Sequence, residues 1–438
     1  MKKKSESLSR AARIFRLGAG VAGGYLAHQV QRPFLSEDEA KARRQSLGAQ
    51  QAKRVREELQ SLRGPIMKVG QALSMQTQAL DPAWIEELST LQRQAPPMHP
   101  SLIRAQFKSA MGKYPEEVFR SFEPEPFAAA SLGQVHFAVT QAGEEVAVKI
   151  QYPAIREAIE SDFKALRAAG FAARMTGHLK ESVVQEAERG ILEETDYVRE
   201  ADNLEYFRKH LEPLSFVRVP KVYRDLSSRR VLTMSRLGGR RLQEFLESNP
   251  SQEMRDRVGA QLVRLFFFQL FRMKALHADP HPGNYLFNDD GSLGLVDFGC
   301  VKHLKPEVVR CYGQFWSREW VQSNKIYAEM VRVAFPDEYR ANARQVRRSM
   351  EEIKRFYDEF HPLADPPVLL DLGDPRFMEA LGQLAKVLLK NKFLSPDFLF
   401  LSRTESGMCN ILHILKTRVR TTQIVRELIS PEVDRSSR

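Results

Sequence analysis

Two short segments bring together side chains that could hold a metal ion against phosphate groups. The first is HADPHPGN, residues 277–284, and the second is LGLVDFG, residues 293–299. Asp279 and Asn284 are five residues apart, and Asp297 follows Asn284 by thirteen. Carboxylate and amide oxygens are the ligands that Mg²⁺ prefers. The pattern predicts that Asn284 and Asp297 hold the metal, and that Asp279 orients or deprotonates a nucleophile.

Protein kinases have the same order and the same Asp-to-Asn spacing in H-R-D-x-x-x-x-N followed by D-F-G. Upstream, VAVK ends at Lys149 and matches the strand whose lysine holds the α- and β-phosphates of ATP. Such a lysine needs a carboxylate from a following helix, and in EETDYVREA we expect Glu200 to supply it. We expect Glu194 and Asp196 to bind a second cation, for which Lys68 is a candidate. The alternative is that these acids lie on the solvated face of a charged helix.

The segment before VAVK differs from that of a protein kinase. It reads PFAAASLGQ, residues 126–134, where a kinase has G-x-G-x-x-G. Alanines restrict the backbone at positions where glycines would let it wrap around phosphates. Ser131 and nearby backbone N–H groups could still donate to a phosphate.

The predicted architecture places a helical extension before a small mixed lobe and a larger helical lobe. We divide the chain into a basic, glycine-containing segment (1–35), a helical extension (36–112), an N-lobe (113–236) and a C-lobe (237–438). Predicted strands are Phe137 to Val148 (a strand, a turn and a strand), Pro220 to Asp225, Val231 to Met234, and a β-like patch at Tyr285 to Asp297. Predicted helices include Ala154 to Thr176, Ser182 to Leu211, and a buried run at Leu262 to Phe271.

Composition excludes several classes of protein. Of 438 residues, 43% are hydrophobic and 28% charged, and only three are cysteines. This excludes collagen-like and wholly disordered chains and argues against a disulfide scaffold. The net charge of +11 favours an anionic partner. No nucleic-acid recognition motif accompanies that charge, so we expect no nucleic-acid partner.

The first residues suggest contact with a membrane. A basic stretch precedes the apolar segment Leu17 to Ala27. This segment is shorter than the roughly 20 apolar residues that a helix needs to span a bilayer. We expect a weakly amphipathic element lying on an anionic membrane. A signal peptide and a flexible glycine-rich segment are the alternatives. Gly20 and Gly24 form a GxxxG motif, which suggests a homodimer.

Taken together, KVGQ, AAAS, VAVK, EETD, HADPHPGN and DFG resemble the UbiB/AarF family of atypical kinases, from about residue 10 to 400. The resemblance implies an α+β, protein-kinase-like, two-lobed fold with the helical extension over the active site. It implies binding of ATP or ADP with Mg²⁺, ATPase-like activity, and a role in ubiquinone (coenzyme Q) or related prenyl-lipid biosynthesis. Implied partners are a prenyl-quinone intermediate, anionic lipid and lipid-biosynthesis proteins. The implied location is peripheral, on the cytoplasmic face of a bacterial inner membrane or its organelle equivalent.

The resemblance also assigns residues. Those implied to contact nucleotide are Ala128, Ala129, Ala130, Ser131, Lys149, Met234, Asn284 and Asp297. Lys68 and Gln71 belong to the motif implied to occlude the substrate cleft, and Glu194 and Asp196 belong to a second family motif. The residues implied to be catalytic are Asp279, Lys149 and Glu200. Some members carry a C-terminal pair of membrane helices, and from the polar segment SPEVDRSSR we expect none here.

The phosphoryl acceptor stays open between water, lipid, small molecule and protein. After Gly299 only CVKHLKPEVV precedes the next predicted helix, which leaves no room for a long activation segment to dock a peptide. The alternatives are a small-molecule kinase, which shares the Asp-to-Asn spacing, and a nucleotide-sensing scaffold with little chemistry.

Overall fold

The structure is a computed structural model that describes residues 2–62, 84, 87, 98–130, 132–174, 181–335, 342–364, 366–390 and 395–429. The chain divides into two compact units. The first comprises Met1–Ala201 and Val222–Ser235, and the second comprises Asp202–Lys221 and Arg236–Arg438.

The first unit is built on an antiparallel sheet. Its strands are β1 (Ser121–Phe122), β2 (Ala128–Ala130), β3 (Gly133–Val139), β4 (Glu145–Gln151) and, later in the chain, the strand Val231–Ser235, called β6. The strand order is β1-β3-β4-β6, and β2 also pairs with β3. The predicted strand–turn–strand is therefore present, with Gly143 in the turn at a φ of 86°. Apolar residues of α3 (Pro100–Met111) cover one face, since Ile103 and Phe107 pack with Val146 and Val148 of β4.

Helices complete the first unit. They are α1 (Lys2–Gln31), α2 (Glu37–Leu62), α3, α4 (Pro115–Val118), α5 (Ile155–Arg174) and α6 (Glu181–Glu194), and α7 (Tyr197–His210) begins here and continues in the second unit. The single helix predicted over residues 182–211 is wrong, because the helix is interrupted between α6 and α7. There Asp196 Oδ1 accepts a hydrogen bond from the backbone N–H of Val198 at 3.1 Å, which caps the start of α7.

The helix α1 packs along α2 and α5. Leu17 and Tyr25 are buried, and a Cβ atom on Gly24 would lie 2.8 Å from the side-chain nitrogen of Gln51 in α2. The apolar segment therefore lies in a helix that packs on its own chain. A homodimer through Gly20 and Gly24 stays a prediction. Among the described residues, no helix combines the length and apolar content needed to cross a membrane.

The second unit is mainly helical. Its helices are α8 (Leu242–Glu247), α9 (Gln252–Phe268), α10 (Pro306–Ser317), α11 (Asn324–Ala334), α12 (Ala343–Phe360), α13 (Pro375–Lys390), α14 (Pro396–Leu415) and α15 (Thr421–Ile429). The predicted buried helical run is confirmed, since Val263 and Phe267 of α9 are each 1% exposed or less. It ends in a π-helical turn, Gln269–Met273.

The second unit also contains short strands, some of which flank the HADPHPGN and DFG segments. They are β5 (Val217–Arg218), β7 (Ala275–His277), β8 (Tyr285–Phe287), β9 (Leu293–Leu295), β10 (Val301–His303), β11 (Leu370–Asp371) and β12 (Arg418–Val419). β8 and β9 form an antiparallel hairpin, β5 adds to β9 in parallel, and β7 pairs with β10. The strand predicted at 220–225 is wrong. Val222 makes only an isolated bridge, and a 3-10 turn follows at Arg224–Leu226.

Candidate active site

The HADPHPGN loop of the second unit joins β7 to β8. After His277 the chain runs through Asp279 to a 3-10 turn, Pro282–Asn284. The side-chain amide nitrogen of Asn284 donates to the backbone oxygen of Asp279 at 3.0 Å and to its Oδ2 at 2.9 Å. The amide nitrogen is therefore engaged by Asp279, and the amide oxygen Oδ1 is the atom left to serve as a metal ligand.

Asp297 lies beside this loop because β8 and β9 are paired. Asn284 precedes β8 and Val296 follows β9, and the backbone N–H of Val296 donates to the backbone oxygen of Asn284 at 3.2 Å. Asp297 is the next residue, and its Oδ1 accepts from the backbone N–H of Gly299 at 3.0 Å. The structure thus brings Asp279, Asn284 and Asp297 together at one end of the hairpin.

Three further side chains hold these segments in place, and the sequence analysis gave them no role. The Nε2–H of His277 donates to the backbone oxygen of Asp297, and the His277 backbone N–H donates to Gln269 Oε1 at 2.8 Å. The amide of Asn203 donates to the backbone oxygen of Phe298 at 2.9 Å. His277 stands two residues before Asp279, and that spacing was the available signal. Gln269 and Asn203 carry no such local signal.

Tyr285 follows the loop directly, at the start of β8. Tyr285 is buried. Burial, with the negative charge of Asp279 adding to it, raises the pKa of its phenol well above the ordinary value. The tyrosine therefore stays neutral and serves as packing.

In the first unit, Lys149 on β4 pairs with Glu200 on α7. Lys149 Nζ lies 2.7 Å from Glu200 Oε1 and 2.9 Å from Oε2. The two side chains are 6% and 2% exposed, and the ammonium group lies 5.1 Å from the centre of the Tyr197 ring. The structure therefore brings together the two residues that were predicted as partners from the sequence. Their catalytic role stays a prediction.

The alanine-rich segment forms a strand. In β2, Ala128 pairs with Val135 and Ala130 with Gly133. A Cβ atom on Gly133 would lie 2.3 Å from the backbone oxygen of Ile150, so only glycine fits this close approach of β3 to β4. Ser131 lies outside the described residues.

The remaining predicted site residues are placed as follows. Met234 is buried in β6 opposite Ala147 of β4. Asp196 forms an ion pair with Arg229 of the same unit at 2.8 Å. Among the described residues, Arg229 is therefore a cation that Asp196 binds. Glu194 is half-buried at the end of α6. Lys68 and Gln71 lie outside the described residues.

The donor set of the second unit fits a magnesium ion that is shared with a phosphate ligand. Within the described part of the chain, no cluster of three or more His, Cys, Asp or Glu side chains could hold a metal by itself. Asn284 and Asp297 would supply two oxygen ligands. Mg²⁺ is usually bound by one or two protein carboxylates together with waters and substrate phosphates. Such a donor set therefore suits a metal that arrives with a nucleotide.

Comparisons with known proteins find kinase-like relatives. A family model described as the ABC1 atypical kinase-like domain matches residues 90–331, more than half of the chain. The chain is 27% identical to a probable serine/threonine-protein kinase, abkA, of Dictyostelium discoideum, over 96% of this chain and 78% of that protein. The solved structure of Rv3197 from Mycobacterium tuberculosis, in complex with erythromycin, matches with a TM-score of 0.62 at 27% identity. That match covers 90% of this chain and 100% of Rv3197.

Other relatives are longer than the matched region. The mitochondrial atypical kinase COQ8B of Rattus norvegicus is 33% identical, over 66% of this chain and 53% of that protein. A chloroplastic aarF domain-containing protein kinase of Arabidopsis thaliana is 35% identical, over 62% of this chain and 39% of that protein. The chain thus spans about half or less of these two relatives.

Proposed function

The chain belongs to the ABC1 atypical kinase-like family, also called UbiB/AarF, and we propose that it binds ATP with Mg²⁺ and transfers or hydrolyses the terminal phosphate. We further propose that this activity supports ubiquinone or related prenyl-lipid biosynthesis at a membrane surface. The family resemblance and the kinase-like fold expected from the sequence are confirmed by the family match and by the similarity to Rv3197.

One observation carries the nucleotide proposal, namely the grouping of Asp279, Asn284 and Asp297 at the end of the β8–β9 hairpin. Asn284 Oδ1 and the Asp297 carboxylate would hold the metal ion. A bound Mg²⁺ would supply positive charge that neutralises the charge developing on the phosphate oxygens. Asp279 would orient the attacking group, and Lys149, held by Glu200, would bind the α- and β-phosphates.

The segment that follows Asp297 argues against a protein acceptor. β10 ends at His303, and α10 begins at Pro306. Protein kinases place an activation loop between D-F-G and A-P-E that controls activity, and this chain has no room for one there. Water, a small molecule or a lipid is therefore the proposed acceptor.

The proposed membrane contact is peripheral, on the cytoplasmic face of a bacterial inner membrane or an organelle equivalent. Val30 near the end of α1 and Phe34 in the following turn are 71% and 86% exposed. Exposed apolar side chains on a basic chain suit the boundary between headgroups and acyl chains of an anionic bilayer. The name of COQ8B places that relative in mitochondria, which supports an organelle equivalent.

Isothermal titration of ATP, with and without Mg²⁺, tests the nucleotide proposal. We expect wild type to bind ATP with Mg²⁺ and Asp297→Asn to lose most of that binding. Asp289→Asn is the matched control, since Asp289 lies in the turn of the same hairpin and is 78% exposed in an ion pair with Arg240. Absence of binding to wild type under both conditions would refute the proposal.

Quinone profiling tests the lipid proposal. A strain that lacks the gene should accumulate a quinone precursor. The wild-type gene and Asp289→Asn should restore the product, whereas Asp297→Asn should not. If Asp297→Asn restored quinone synthesis fully, the protein would support that synthesis as a scaffold, without metal chemistry at Asp297.

A further inference from the structure

Helix α14 lies directly against the HADPHPGN loop of the same unit. A Cβ atom on Gly407 of α14 would lie 2.3 Å from Cγ and 3.0 Å from Cβ of Pro280, the residue that follows Asp279. Any side chain at position 407 would therefore overlap the proline ring, and only glycine fits this close approach. The ring of Pro280 rests on the bare backbone of the helix.

The helix is anchored on its other sides and near its start. Leu401 and Leu415 of α14 are both fully buried in the second unit. In the first turn, Asp397 Oδ1 lies 3.2 Å from Nζ of Lys302 in β10. Core side chains packed at this density resist displacement. A side chain added at Gly407 would therefore push the loop away and leave the helix in place.

The loop transmits such a push to Asp279. The proline ring fixes φ of its own residue, so the ring of Pro280 cannot turn aside without moving the backbone that joins it to Asp279. To regain an ordinary carbon–carbon separation of about 3.5 Å from Gly407, the ring would have to move by roughly 1 Å. Asp279 would move with it, although its Oδ2 now accepts a hydrogen bond from Asn284 Nδ2 at 2.9 Å.

We propose that Gly407 is a positioning residue that sets the place of the Asp279 carboxylate through the ring of Pro280. This inference rests on the proposed nucleotide-dependent function, in which Asp279 orients the attacking group. The backbone of Asn284 is tied to the β8–β9 hairpin through Val296. The effect of a change at Gly407 should therefore appear in turnover, and not in binding of the metal and nucleotide.

Four variants of the full chain test this role. They are Gly407→Ala, Pro280→Ala, the double variant, and the control Gly382→Ala. Gly382 is in α13 of the same unit, where a Cβ atom would meet nothing within 4 Å. Gly407→Ala should lower kcat for hydrolysis of Mg-ATP by about 100-fold, the loss expected for a misplacement of about 1 Å. Its Kd for Mg-ATP should stay at the wild-type value, and Gly382→Ala should match wild type in both.

The double variant separates positioning from a general loss of packing. With Cγ of residue 280 removed, the closest listed atom is Cβ at 3.0 Å, so Gly407→Ala should cost much less kcat in the Pro280→Ala background than in wild type. The side-chain amide resonances of Asn284 in NMR spectra of the free protein give a second readout, because that amide donates to Asp279. They should shift in Gly407→Ala, and the shift should be much smaller in the Pro280→Ala background.

Two results would overturn the inference. One is that Gly407→Ala lowers kcat by the same factor in both backgrounds. The other is that it changes neither kcat nor the Asn284 resonances. Circular dichroism checks folding. If Gly407→Ala does not fold, Pro280→Ala alone carries the test, since removal of the supported ring should lower kcat at unchanged Kd, and an unchanged kcat would also overturn the inference. If wild type hydrolyses no ATP, the proposed function fails, and the Asn284 resonances still test the positioning.

Discussion

The ion pair between Lys149 and Glu200 should be far more strongly coupled than an exposed pair of the same length. The perturbation is a double-mutant cycle with Lys149→Met, Glu200→Gln and the double variant. The side chains are 2.7 Å apart and only 6% and 2% exposed. Removal of one partner takes the ion pair away from a buried charge, which costs about 3–5 kcal/mol. The double variant leaves no such charge and should lose clearly less than the sum of the single losses.

The Arg240–Asp289 pair provides the comparison. Its atoms are 2.8 Å apart, but the side chains are 40% and 78% exposed. Since the distance is nearly the same, the difference between the pairs is burial. We expect a coupling energy of about 0.2–1 kcal/mol for Arg240 and Asp289, and several times that for Lys149 and Glu200.

Hydrogen exchange is a suitable assay, read at the β4 amides for Lys149 and Glu200 and at the β8 and β9 amides for Arg240 and Asp289. A loss of about 3–5 kcal/mol corresponds to a fall in protection of roughly two to four orders of magnitude, if exchange follows the opening equilibrium. Additive effects of Lys149→Met and Glu200→Gln, within about 0.5 kcal/mol, would refute the coupling on which the phosphate-binding role of Lys149 rests.

Three further predictions concern stability and membrane contact. Gly133→Ala should destabilise the first unit by roughly 2 kcal/mol or more, because the added methyl group overlaps the backbone of β4. Gly190→Ala, at an open helical position, should leave stability equal or up to about 1 kcal/mol higher in urea denaturation; equal effects at both sites would contradict the close approach. Burial raises the pKa of Glu405 from 4.5 to about 7. The folded protein therefore holds a proton there that the unfolded chain releases, and this contribution to stability is lost as pH rises from 4.5 to 7. Accordingly, the stability of wild type relative to Glu405→Gln should fall over that range, and a constant difference would contradict the shift. Replacement of Val30 and Phe34 by Ser should reduce flotation with anionic vesicles several-fold without loss of folding, and unchanged flotation would place any membrane contact elsewhere.

Much of the site could be predicted because its signals are local. Asn284 and Asp297 are thirteen residues apart, which is the length of a short hairpin. The spacing therefore predicts that both residues, together with Asp279, lie at the same end of that hairpin. A lysine at the end of VAVK needs a carboxylate from a following helix, and the expected residue, Glu200, is the one that pairs with Lys149.

The parts that sequence reasoning missed depend on contacts between distant segments. Nothing near Gly407 indicates that it packs against Pro280, because the fit depends on where α14 crosses the loop. Nothing near Gly24 of α1 indicates that Gln51 of α2 packs against it; the homodimer and the membrane contact of this segment stay predictions. The interruption between α6 and α7 is not visible in the sequence, because Asp196 is compatible with a charged helix face, yet its side chain caps α7.

The central claim is that Asn284 and Asp297 hold a divalent ion against the phosphates of a nucleotide. The most direct measurement is an anomalous difference map from crystals grown with Mn²⁺ and a non-hydrolysable ATP analogue. The account predicts a metal peak at a bonding distance of roughly 2.0–2.3 Å from Asn284 Oδ1 and from an Asp297 carboxylate oxygen. A metal bound to the analogue with neither side chain coordinated would contradict it.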